Sequence, residues 1–215
     1  VPDPNILKIE KHKIAFMFVN KAGNSSVKRV IAEKLLGKGN GKDVVLSWSE
    51  PFHEDVEFTN RISIPPDYLI FGTCRHPEDR LISCWKDKVR NGFKLHEGLY
   101  KSSRKFYKDM PFAEFVKEIS LIKYRSKIWD QHIRPQWHDL DLTRISYLIR
   151  VENFISDWEN AREMIKKHCG EIYPEMIFHD RNTGLSKPKI SKKTRSLIEK
   201  IYAKDYRILN YKSRA

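Results

Sequence analysis

Two short stretches carry side chains that suit an anionic ligand. The first, Lys21-Ala22-Gly23-Asn24-Ser25-Ser26, offers a cation, two hydroxyls and a glycine that lets backbone approach a ligand. Where such a run opens a helix, the amides of the first turn add donors for phosphate or sulfate. The order is not that of a Walker A loop, because GxxxxGK[ST] is absent and the lysine precedes the glycine. Read alone, the stretch also describes an ordinary capped turn. The second stretch runs Arg75-His76-Pro77-Glu78-Asp79-Arg80-Leu81-Ile82-Ser83. It begins with the side chain best shaped to grip a phosphate and ends on a hydroxyl able to donate to the same group. Its plainer reading is a helix-end salt bridge among Arg75, Glu78, Asp79 and Arg80. Taken together, the two describe a ligand with two separated anionic groups.

Both stretches follow apolar runs of strand length. Ile14–Val19 is continuously apolar, as in a strand covered on both faces, and Tyr68–Cys74 is a second such run. After the first, Val27, Val30, Ile31 and Leu35 recur at helical spacing until glycines at 37, 39 and 41 stop them. After the second, Pro77 suits a first helical turn, and Leu81, Cys84, Trp85 and Lys88 mark the helix faces. Further strands are expected at Val44–Leu46 and Ile145–Val151, the latter leading into a helix with a Ser156-x-x-Glu159 capping box. Residues 91–140 read as helices and loops, with an amphipathic stretch at Phe112, Phe115, Val116 and Ile119. Helical spacing returns between Ser191 and Tyr206. Strands alternating with helices predict an α/β fold with a central, mainly parallel sheet flanked by helices. In such sheets ligands bind beyond the carboxyl ends of the strands, where both stretches fall.

The 215 residues carry a net charge of +13 with 40% hydrophobic residues, which predicts a folded protein whose partner is an anion. With no repeat and no Ser/Gly linker, one domain spanning 1–215 is expected. No apolar run approaches the roughly 18 residues of a membrane span. Cys74, Cys84 and Cys169 form no CxxC pair and leave one thiol over, which favours a reducing compartment. A cytoplasmic location is the expectation, or the Golgi lumen if a leader was trimmed ahead of Val1. Neither HExxH nor a Cys/His zinc pattern is present, so no metal is expected.

At this point the residues resemble a known family. Phe18-Val-Asn-Lys-Ala-Gly-Asn-Ser-Ser-Val-Lys-Arg-Val30 is similar to the 5′-phosphosulfate loop of carbohydrate sulfotransferases that use 3′-phosphoadenosine 5′-phosphosulfate (PAPS). Asn20 stands where that family usually has proline. Cys74-Arg-His-Pro-Glu-Asp-Arg-Leu-Ile-Ser-Cys-Trp-Lys-Asp-Lys88 resembles the family's 3′-phosphate motif. His132-Ile-Arg-Pro-Gln136 is similar to the HWRPQ stretch of the branch containing the HNK-1 and chondroitin sulfotransferases, although the cysteines that often follow it are missing. Tyr147–Phe154 and Tyr202-Ala-Lys-Asp-Tyr206 fit in type and order.

The resemblance implies a P-loop-NTPase-like sulfotransferase fold and transfer of a sulfuryl group from PAPS to a hydroxyl. It implies that Lys21 contacts the bridging oxygen, while Ala22, Gly23, Asn24, Ser25 and Ser26 hold the 5′-phosphate. Arg75 and Ser83 would fix the 3′-phosphate, and Arg181 and Asn182 would fold over the adenine. The acceptor, an acidic or neutral glycan or another alcohol, needs a base. His53 lies 22 residues ahead of Arg75, much as the base histidine does in related uronyl sulfotransferases. Glu50, Glu54 and His132 are the rivals. The interleaved basic and aromatic residues of Lys101–Lys108 suit either an acidic glycan or a solvated helix face. Two other classes compete: a basic nucleic-acid-binding module, which lacks any helix-turn-helix, zinc-finger or RNP signature, and a nucleotide-dependent kinase, which lacks Walker A.

Overall fold

The computed structural model describes residues 6–37, 53–59, 63–91, 97–122, 129–176 and 185–214. The expected strand at Val44–Leu46 lies outside them. The chain divides into two compact units, Val1–Cys74 with Asp139–His179, and Arg75–His138 with Asp180–Ala215.

The first unit holds a five-stranded sheet. Its strands are β1 Ile6–Ile9, β2 Ile14–Met17, β3 Val56–Thr59, β4 Leu69–Cys74 and β5 Tyr147–Arg150, in the order β3-β1-β2-β4-β5. β4 pairs in parallel with both β2 and β5, while β1 is antiparallel to both of its neighbours. Four strands therefore run one way and β1 alone runs against them, so the sheet is mixed with a parallel centre. β2 is wholly buried, as its unbroken apolar run requires.

Helices α1 (Asn24–Leu36) and α2 (Pro77–Trp85) follow β2 and β4, and a third helix, Phe154–Cys169, follows β5. Val27, Val30 and Ile31 of α1 share a core with Phe154, Trp158, Ala161 and Ile165 and with Leu7, Ile9, Ile14, Phe16, Phe71 and Ile149 of the strands. Close packing explains Gly72 in β4: a Cβ there would meet the Ile145 Cδ1 at 2.7 Å and the Leu148 Cδ2 at 2.9 Å.

Three local expectations change. β1 and β3 were not anticipated. The capping box at Ser156 does not form, because the helix already begins at Phe154; Ser156 instead donates to the Asn153 carbonyl, and Glu159 pairs with Arg162. The C-terminal helix is two helices, Lys192–Ile201 and Ala203–Ile208, which meet at Tyr202. Ser191 caps the first of them by accepting from the Thr194 amide at 3.2 Å.

The second unit is helical among its described residues. Besides α2, which runs on as a π-turn over Lys86–Arg90, it contains Glu97–Ser102, Phe112–Leu121 and the two C-terminal helices. In chain order the later helices are α3 Glu97–Ser102, α4 Phe112–Leu121, α5 Phe154–Cys169, α6 Lys192–Ile201 and α7 Ala203–Ile208. Leu81, Cys84 and Trp85 of α2 pack with Phe112, Phe115, Val116 and Ile119 of α4 and with Ile198 of α6. The amphipathic pattern of α4 thus faces a core of its own. Among the described residues no helix is long and apolar enough to cross a membrane.

Candidate functional site

The first stretch forms the turn between β2 and α1. Lys21 has φ +69° and Gly23 has φ +80°, both in the left-handed region. For Gly23 this conformation costs little; for Lys21 it is strained, a feature that clusters at ligand sites. Gly23 is also the last position that could hold a side chain: its Cβ would lie 2.7 Å from Phe154 Cε2. Space and φ together require glycine there. The turn is held by the Ala22 amide donating to the Val19 carbonyl at 3.1 Å and the Ser26 amide to the Gly23 carbonyl at 3.0 Å.

No side chain caps α1. Because the Ala22 and Ser26 amides are used inside the turn, the amides of Gly23, Asn24 and Ser25 are the donors left at this helix start, a narrower set than the six residues expected from sequence. Ala22 is fully buried and contributes backbone alone, and the Ser26 side chain is buried too, whereas Lys21 and Ser25 are half-buried. A buried polar chain ties this turn to the end of β4. The Val19 amide donates to Thr73 Oγ1 at 3.3 Å, Thr73 donates to Asn24 Oδ1 at 3.4 Å, and Asn24 donates to Asn20 Oδ1 at 3.3 Å. Thr73 was not singled out in the sequence, although a threonine inside an apolar run is a signal of a buried hydrogen bond.

Lys28, on the next turn of α1, is 2% exposed and its ammonium lies 4.9 Å from the centre of the Phe58 ring. Burial pushes its pKa down to about 6. The ring face attracts a cation by about 1 kcal/mol, less than desolvation costs it. In the unfolded chain the amine titrates near its ordinary value of about 10.4, so between about pH 6 and 10 the unfolded state binds the extra proton and stability rises with pH. Urea unfolding is expected to show the wild type more stable at pH 9 than at pH 7 by about 2–3 kcal/mol. Lys28→Met is expected to flatten that difference and raise stability at pH 7; an unchanged slope would mean that Lys28 stays charged.

The second stretch opens α2 in the other unit. Arg75 directly follows the last residue of β4 and is half-buried. Its backbone is gripped on both sides by one side chain: the Arg75 amide donates to Gln136 Oε1 at 3.0 Å, and Gln136 Nε2 donates to the Arg75 carbonyl at 2.8 Å. Gln136 is itself positioned by Asp205, whose carboxylate accepts from the Gln136 amide at 2.8 Å and the Trp137 amide at 3.0 Å. Both Gln136 and Asp205 are fully buried. Tyr202 completes the frame by donating to the Ile133 carbonyl at 2.6 Å. Arg80, also fully buried, donates to the carbonyls of Arg134 at 2.8 Å and Gln131 at 3.3 Å. The three motifs Arg75–Ser83, His132–Gln136 and Tyr202–Tyr206, scattered in the chain, therefore build one support for the Arg75 backbone. Ser83 is half-buried and lies six residues after Pro77, roughly 9 Å along the helix axis. Arg75 and Ser83 meet at one phosphate only if the arginine extends along α2.

Other candidates sit differently. His53 precedes β3, and the register pairs Val56 and Ile14 with the same residue, Ile9. His53 thus lies at the amino end of β2, whereas the Lys21 turn leaves its carboxyl end; a strand length of roughly 10 Å separates the two ends before either loop is counted. Its Nδ1 accepts from the Asp55 amide at 3.1 Å, so the neutral ring carries its proton on Nε2. The structure does not bring His53, or the neighbouring Glu54, to Lys21. His132 is buried, and its Nδ1 contacts Asp130 Oδ1 at 2.7 Å, which puts the proton on Nδ1 and makes Nε2 the accepting nitrogen. Within 101–108, Phe106 is core, Lys101 pairs with Glu97, Lys108 bonds the Arg90 carbonyl and Tyr107 bonds Glu114, while Arg104, stacked on Tyr100, and Lys105 are exposed. Glu50, Arg181 and Asn182 lie outside the described residues. Among the described residues no three His, Cys, Asp or Glu side chains converge as a metal site would need.

The first unit is an α/β sheet with a left-handed turn and an uncapped helix start after β2, and the second unit opens on an arginine framed by Gln136 and Asp205. The family model described as the sulfotransferase family matches residues 4–212, running through both units, and the chain belongs to that family. Its activity class is sulfuryl transfer. No curated protein and no solved structure matches the chain.

Proposed function

We propose that this chain transfers the sulfuryl group of PAPS to a hydroxyl of a carbohydrate or similar acceptor, with residues 1–215 acting as one catalytic domain. The observation that carries the reading is the Lys21–Ser25 turn: a strained lysine and three amides of an uncapped helix start, anchored to the end of β4 through Asn24 and Thr73. In this reading the amides of Gly23, Asn24 and Ser25 and the Ser25 hydroxyl hold the 5′-phosphate. The Lys21 ammonium sits against the bridging oxygen, where negative charge builds as the S–O bond breaks. Arg75 and Ser83 take the 3′-phosphate, and Arg181 and Asn182 the adenine side of the same nucleotide.

The acceptor oxygen attacks in line, forming its bond to sulfur as the bond to the phosphate oxygen breaks, and its proton passes to a base. We assign the base to a histidine. Chain position relative to Arg75 speaks for His53 and its place at the amino end of β2 against it, whereas the Asp130 contact, which leaves Nε2 as the accepting nitrogen, supports His132. Acceptors of either charge remain within the reading, since Lys21 and Arg75 act on the donor.

Incubation with sulfur-labelled PAPS and a panel of acidic and neutral glycans, lipids and phenols is the test: label must move to at least one hydroxyl acceptor, and none moving to any of them would sink the proposal. Alanine variants of the two histidines separate the base candidates. The true base should lose about 10²–10⁴-fold in turnover, keep its nucleotide affinity and be partly rescued by added imidazole, while the other stays near wild type.

A further inference from the structure

The segment Tyr211–Arg214 lies along the start of α2, the helix that carries the Arg75 motif, held there by a hydrogen bond, a ring contact and ion pairs. His76 Nε2 donates to the Lys212 carbonyl at 3.1 Å, and the His76 ring is met edge-on by Tyr211 and Tyr206, with centroids at 5.4 and 5.5 Å. Arg214 reaches two neighbouring carboxylates, Asp79 at 2.9 Å and Glu78 at 3.6 Å. Arg195 of α6 approaches Glu78 from another side at 3.3 Å, and Lys187 lies 3.6 Å from Asp79. Ser213 bonds Glu199.

These contacts resolve an electrostatic problem in the motif. Glu78 and Asp79 stand within a helical turn of Arg75, and their side chains are only 6% and 15% exposed. Two poorly hydrated negative charges beside an arginine assigned to a phosphate would repel that phosphate. A helix start favours carboxylates for its own stability, so the acidic pair serves α2 while opposing an anionic ligand. Burial pushes the Asp79 carboxyl up, but the Arg214 hydrogen bond together with the positive charges of Arg214, Lys187 and His76 outweighs it, and the group stays below its ordinary value, ionised. The charge must then be cancelled from outside the helix, and among the described residues Arg214 is the side chain that touches both carboxylates.

We propose that Tyr211–Arg214 is a clasp in which Arg214 neutralises Glu78 and Asp79, so that the adjoining Arg75 turn can accept a dianionic phosphate. Arg214 is a positioning residue, not a catalytic one. The inference rests on the nucleotide reading above, because it takes Arg75 as the 3′-phosphate ligand.

Calorimetry of the full chain with adenosine 3′,5′-bisphosphate and adenosine 5′-phosphate tests it. Arg214→Gln should weaken the bisphosphate about tenfold and leave the monophosphate within about twofold, as expected for a charge acting at one end of the ligand. Adding Asp79→Asn to Arg214→Gln should recover most of that loss, and Arg214→Lys should sit between wild type and Arg214→Gln. Unchanged bisphosphate binding in Arg214→Gln, equal losses for both nucleotides, or a selective loss that Asp79→Asn does not relieve would each overturn the clasp while the nucleotide reading stands. A wild type that fails to prefer the bisphosphate would overturn the nucleotide reading, and the clasp with it.

Discussion

Lys21→Ala is expected to lower sulfuryl transfer about 10³-fold in kcat while changing nucleotide affinity only severalfold, the pattern of a group that acts on charge present chiefly in the transition state. The backbone makes this a clean test. Lys21 has φ +69°, and alanine pays much the same cost as lysine in the left-handed region, so the turn is not relaxed or strained further by the change. Its anchors are elsewhere, in the Ala22–Val19 and Ser26–Gly23 backbone bonds and the Asn20–Asn24 side-chain bond. Single-turnover transfer from labelled PAPS, with circular dichroism to check the fold, reads the outcome. Turnover within a few-fold of wild type would remove Lys21 from the chemistry.

Arg75→Ala is expected to weaken adenosine 3′,5′-bisphosphate about 100-fold, with little change for adenosine 5′-phosphate, because a guanidinium–phosphate pair is among the stronger charge-assisted hydrogen bonds. The backbone frame at this residue supplies a second arm. Gln136→Leu strips both partners from the Arg75 peptide groups and breaks a fully buried network, so unfolding free energy should fall by about 2–4 kcal/mol. If the frame aims Arg75, Gln136→Leu also loses affinity for the bisphosphate selectively, although its own side chain is spent on backbone. Equal affinity of the wild type for the two nucleotides would remove the 3′-phosphate site altogether.

The local structure around both stretches was legible in the sequence. The Lys21 turn could be read because an unbroken apolar run ends at Val19, a glycine follows, and helical spacing begins at Val27: each signal is local and they agree. The Pro77 start of α2 was readable for the same reason. β1 and β3 were missed because charged residues, Lys8 and Glu57, interrupt their short apolar runs, whereas β2 lies in an unbroken one. Lys8 in buried β1 is tolerated because Glu57 at 2.6 Å and Glu10 at 2.9 Å hold its ammonium, pairs that a linear reading does not see. The Ser156 capping box had the right residue types, yet the helix had already begun at Phe154, whose ring packs into the core of the first unit and over Gly23. Tertiary packing there overrode a local rule.

The motifs around Gln136 and Asp205 show the other side. Family resemblance singled them out, but nothing in the linear chain said that Gln136 would grip the Arg75 backbone, or that His53 would fall at the amino end of β2. Residue order alone determined an α/β chain with two anion-ready turns, their helices and a strong positive charge, since strand period, helix period and turn chemistry act over a few neighbouring positions. Only the tertiary structure decided which amides of the first turn face outward and which side chains hold the arginine. Those bonds close loops of 61 and 69 residues, and a hydrogen bond at that separation is selected by where the packed cores bring the chain back to itself.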